Sequence, residues 1–67
     1  MTEIDVAVQK VLIRDRIKLW RNSVYQAGLD MKVATVLEDE QMQVNAKREV
    51  ARGITAIETL EKILGTL

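Results

Sequence analysis

The side chains closest to forming a chemical site are carboxylates. Glu38, Asp39 and Glu40 stand in a row, and Glu58 and Glu61 follow at the i,i+3 spacing that places two acids on one helix face. Di-metal helix bundles use such pairs as Glu-x-x-His, with imidazole projecting into the core. This chain has neither histidine nor cysteine, so neither a bound metal nor a structural zinc is expected, and no cofactor is implied. Nucleophilic catalysis would need Ser23 or a threonine beside a base, and there is no imidazole or thiol to serve. Three isolated glycines make no phosphate-cradling loop. A non-catalytic protein is expected.

The second constellation is cationic. Lys10, Arg14, Lys18 and Arg21 follow one another at spacings of four, four and three, which aligns them along one helix edge. Like charges in that arrangement repel, so the edge calls for a partner: phosphate groups of a nucleic acid, or carboxylates from elsewhere in the chain, for which Glu38, Asp39 and Glu40 are the nearest cluster. Base stacking has little to draw on, because Trp20 and Tyr25 are the only aromatics and suit core or interface anchors better. A net charge of zero removes the simplest electrostatic case for a dedicated nucleic-acid binder. Arg16 falls among apolar neighbours, where it must either snorkel to the rim or pair with an acid.

Helices must carry these groups. From Ala46 to Leu67 the residues Ala46, Val50, Gly53, Ile57, Leu60, Leu64 and Leu67 recur at four and three, which is a heptad seam. In the N-terminal half, 100° steps put Val6, Val8, Leu12, Ile13, Ile17, Leu19, Trp20, Val24 and Ala27 within half of the helix circumference. A face that broad predicts two neighbours rather than one. Thr2 followed by Asp5 predicts a capped start near Glu3.

The bend has two candidate positions. Ala27-Gly28-Leu29-Asp30 offers a glycine for the left-handed position and an acid to cap the next helix, which predicts helix one from about Glu3 to Ala27 and a second run from about Asp30 to Gly65. That second run would carry a kink or break between Glu38 and Asn45, and Thr35 with Glu38 has capping-box spacing. Against a bend at Gly28, the series Ile13, Ile17, Trp20, Val24, Ala27, Met31, Ala34 continues unbroken across it, and an interior glycine costs only about 1 kcal/mol relative to alanine. The turn then falls between Glu38 and Asn45.

Either way the predicted fold is a single all-α domain: an antiparallel helical hairpin of two long helices, or three shorter ones, with coiled-coil-like packing. Its 67 residues cannot bury a large core, and without cysteine the remaining aids are regular helix packing and oligomerisation. The composition, 48% hydrophobic and 30% charged, is that of a folded protein rather than a disordered tail. The two helices of a Gly28 hairpin would differ in length by roughly 15 Å, leaving the most apolar part of the second uncovered, and a bend near residue 42 would move the overhang to the equally apolar N-terminal half of helix one. The expected partner is a second copy or a larger protein assembly, with Ile13, Ile17, Trp20, Val24, Val50, Ile57, Leu60 and Leu64 as the contact residues. No run of apolar residues is long enough for a membrane span, and the first residues do not read as a targeting peptide, so no membrane partner is implied. These features predict a small structural, adaptor or scaffold subunit in the cytoplasm or in a virus particle assembled there, with nucleic-acid backbone binding by the basic edge as the alternative.

Overall fold

The computed structural model describes residues 5–67. Two helices fill nearly all of them: α1, Val6–Val36, and α2, Glu40–Thr66. Only Leu37, Glu38 and Asp39 connect the two, so α2 must run back along α1, and the pair forms an all-α antiparallel hairpin 54 Å in its longest dimension.

Each helix starts on an aspartate. Asp5 Oδ1 accepts the N–H of Ala7 at 2.9 Å and caps α1, while Asp39 Oδ1 accepts the N–H of Met42 at 3.0 Å and caps α2. The predicted start near Glu3 and its Thr2 cap lie outside the described residues.

The chain does not bend at Gly28, the favoured position in the sequence. α1 passes straight through that glycine and turns at Leu37 to Asp39, at the edge of the alternative segment. At the turn, the Glu38 N–H donates to the Thr35 carbonyl at 3.2 Å and the Asp39 N–H to the Ala34 carbonyl at 3.0 Å, with Glu38 in the left-handed region at φ 54°. This double closure is a Schellman motif, built here around glutamate instead of the usual glycine. Gln43 Nε2 adds a third tie, donating to the same Ala34 carbonyl at 3.4 Å. Thr35 lies inside α1 with its hydroxyl donating to the Met31 carbonyl at 2.8 Å, so the Thr35/Glu38 capping box does not form. The energetic choice is clear: a bend at Gly28 would take Met31 and Ala34 out of the apolar series, and their burial outweighs the ~1 kcal/mol cost of an interior glycine.

The two seams face each other. On α1 they are Ile13, Ile17, Trp20, Val24, Ala27, Met31 and Ala34; on α2, Ala46, Val50, Gly53, Ile57, Leu60 and Leu64; all are buried or half-buried, and only the terminal Leu67 is exposed. Small residues hold the half near the turn, where Ala27, Ala34, Ala46 and Gly53 are buried, and larger ones such as Ile17 and Leu64 hold the open end. Gly53 is there for its lack of a side chain: a Cβ at this position would overlap Cγ2 of Val24, with the Trp20 carbonyl oxygen only 3.8 Å away. Arg52 completes this level, its Cζ 5.9 Å from the centroid of the Trp20 ring.

With the turn this late the helices are nearly matched, 31 residues against 27. The difference of four residues amounts to about 6 Å, so the overhang shrinks to roughly the first turn of α1. The uncovered apolar surface lies along the side of the hairpin instead of at its end.

Candidate interaction surface

The eight residues expected to touch a partner lie in the hairpin's own seam. Ile17 is 5% exposed, and Ile13, Trp20, Val24, Val50, Ile57, Leu60 and Leu64 are half-buried against the opposite helix. Their apolar area is therefore largely used within the chain.

What α1 leaves over is a second stripe on its far side. Val8, Leu12, Leu19, Leu29, Val33 and Val36 are all exposed, Leu19 by 62% and Val36 by 81%. Leu19 stands about 200° around the helix from Ile17, and the others share its side at spacings that are sums of four and three. Val11, 52% exposed, shares this stripe, and Asp15, Lys18, Asn22, Gln26 and Asp30 occupy its remaining positions, so its apolar content gathers towards the two ends of the helix with polar and charged groups between. The broad apolar face of the sequence is thus divided: half meets α2, and no element of the described chain covers the other half.

This stripe was only half visible in the sequence. Val8, Leu12 and Leu19 were within the predicted broad face. Leu29, Val33 and Val36 belong to the same face only if α1 is continuous through Gly28, and a break there would have assigned them to another helix. The periodicity across Gly28 was the signal that could have found them.

The basic ladder lies on one flank of the hairpin near its open end. Arg21 Nη2 meets Glu61 Oε1 at 3.3 Å, an exposed pair, and Arg14, Lys18 and Arg21 line a shallow depression of about 270 Å³ with Ile17, Glu61 and Leu64 beneath. Lys10 stands one turn before Arg14, half-buried. The compensating acid thus comes from α2. Glu38, Asp39 and Glu40 sit at the turn, twenty residues or about 30 Å along α1 from Lys18, out of reach of the ladder within one chain. Arg16 is exposed at the seam's rim, and Tyr25, expected as an anchor, is 64% exposed on the surface.

The same flank has an apolar groove where Gly28 presents no side chain. It measures about 530 Å³ and is lined by Met31, Val50, Ala51 and Ile54 with Lys32 and Lys47 at its edges. Among the described residues no acidic cluster is arranged to hold a metal ion, and no helix is long and apolar enough to cross a membrane. Comparisons with protein-family models, with curated proteins and with solved structures return no significant match. The class of protein is therefore defined by its fold, a two-helix antiparallel hairpin, and by an apolar face on the outside of one helix.

Proposed function

We propose that this chain is a non-catalytic interaction module that self-associates, acting as a small structural, adaptor or scaffold subunit of an assembly such as an accessory component of a virus particle. The outer stripe of α1 supports this reading. Seven large aliphatic side chains, Val11 among them, are exposed along one side of α1, and among the described residues no large side chain of the hairpin's own core is fully buried. Soluble monomers rarely leave this much apolar side-chain surface open along one helix, and closed oligomers are the usual way of covering it.

Sedimentation across a concentration series tests the reading. Dimers or larger species should be present at micromolar concentration. Replacing Leu19 and Leu29 together by glutamate should return the chain to monomer with its helix content unchanged, since both side chains point away from α2. A wild-type chain that stays monomeric to about 100 µM would end the proposal.

The basic edge supports a second reading, contact with a nucleic-acid backbone through Lys10, Arg14 and Lys18, with Arg21 shared with Glu61. Such binding would weaken steeply with salt and disappear when the four residues are replaced by glutamine. The absence of net positive charge makes it the weaker of the two.

A further inference from the structure

We infer that the occupant of the outer α1 stripe is the same stripe of a second copy, laid antiparallel. The inference rests on the self-association proposed above and names its geometry. Two features of the chain select this orientation.

The first is the order of side chains along the stripe. Reading from the N-terminal end, Val8, Val11 and Leu12 are followed by Asp15, Lys18 and Leu19, then by Asn22 and Gln26, and finally by Leu29, Asp30, Val33 and Val36. Both ends are apolar and the middle is mostly polar. A two-fold axis crossing α1 near Asn22 lays Val8 of one copy on Val36 of the other and Leu12 on Val33, brings the two Asn22 amides within reach of each other, and sets Asp15 level with Leu29. A parallel pair in register would instead set Asp15 on Asp15, with Arg16 and Lys18 each facing its own copy on the rims. Those like-charge contacts are destabilising.

The second is the distribution of charge over the hairpin. The open end carries Lys10, Arg14 and Lys18, and the turn carries Glu38, Asp39 and Glu40; within one chain these groups are held roughly 30–40 Å apart by the length of α1. Antiparallel pairing puts the basic end of each copy level with the acidic turn of the other, twice over. The chain is neutral, so no net repulsion opposes the pairing. The acidic row and basic ladder become complementary between molecules.

The test uses thiol cross-linking, for which the absence of cysteine makes the chain well suited. Two full-length variants, Leu12→Cys and Val33→Cys, are distinguished by a mass tag and treated, mixed and separately, with a short bifunctional maleimide. Antiparallel pairing predicts a cross-linked heterodimer in the mixture and little product from either variant alone, because two Leu12 positions would be separated by more than about 25 Å along the axis. The pair Val8→Cys and Val36→Cys should behave the same way and guards against one substitution disturbing the face. Circular dichroism matching the wild type shows the variants folded. Efficient cross-linking of Leu12→Cys to itself would mean a parallel pair and overturn the inference. Sedimenting dimers with no heterodimer product from either pair would also overturn it while leaving self-association standing. A monomer in sedimentation would remove both.

Discussion

Gly53 and Val24 meet across the hairpin so closely that no Cβ fits between them. One built on Gly53 would overlap Cγ2 of Val24, with Val24 Cβ at 3.7 Å and the Trp20 carbonyl oxygen at 3.8 Å. Valine is stiff at χ1 and cannot swing its methyl aside cheaply. Gly28, also mid-helix, has nothing within 4 Å of the same construction.

The two glycines should therefore respond oppositely to alanine. Gly28→Ala should raise stability by about 0.5–1 kcal/mol, the helix-propensity gain without a steric cost. Gly53→Ala gains the same propensity but must push the helices apart, which costs about 1–3 kcal/mol in a packed seam. Urea denaturation of both variants should show a net loss for Gly53→Ala. If the two changes have the same sign, the close approach at Gly53 is not a constraint.

The turn carries a local cost that one substitution removes. Glu38 adopts φ 54°, where a side chain is penalised by roughly 1–2 kcal/mol, and it holds that angle because its own N–H closes the Thr35 carbonyl and the N–H of Asp39 closes the Ala34 carbonyl. Glu38→Gly should stabilise the hairpin by about 1 kcal/mol, read as a higher denaturation midpoint with an unchanged slope. An unchanged or lower midpoint would contradict this account of the turn.

Asp39 joins both helices, since its N–H closes α1 and its carboxylate caps α2. Asp39→Ala keeps the first bond and loses the second, for an expected cost of about 1 kcal/mol, whereas Asp39→Asn should be nearly neutral. Equal losses for the two would show that charge, not capping, is what matters there.

These turn devices explain how far the sequence could be read. Hydrophobic spacing identified the hairpin class, the Ala46 to Leu67 seam, and the Ile13 to Ala34 series that α1 follows. The turn was harder to find, because its left-handed residue is a glutamate, and the only glycine with turn-like neighbours, Gly28, is helical. That single ambiguity also concealed the outer stripe, by splitting Leu12 and Leu19 from Leu29 and Val33. The Arg21–Glu61 pair was out of reach for another reason, since it depends on the helix register and hence on where the turn falls.

That ion pair should contribute little. Its side chains are 64% and 50% exposed, and exposed pairs of this kind are worth about 0–1 kcal/mol. A double-mutant cycle with Arg21→Ala and Glu61→Ala should give a coupling energy below about 0.5 kcal/mol that shrinks further with added salt. A coupling well above 1 kcal/mol would mean that the pair helps set the helix register.

Ile17 and Leu19 give the most direct test of how α1 divides its apolar residues. They are two positions apart and similar in size, yet Ile17 is 5% exposed in the seam and Leu19 is 62% exposed on the outer stripe. Truncating the first removes packed atoms and leaves a void; truncating the second removes atoms already in water. In dilute solution, where the hairpin stands alone, Ile17→Ala should lose about 2–4 kcal/mol and Leu19→Ala no more than about 0.5 kcal/mol. At concentrations where the chain associates, the stability of Leu19→Ala should fall behind that of the wild type, because only the wild type then buries that side chain against a partner. A Leu19→Ala penalty that is large and independent of concentration would place Leu19 in the hairpin's own core and remove the outer stripe as an interaction surface.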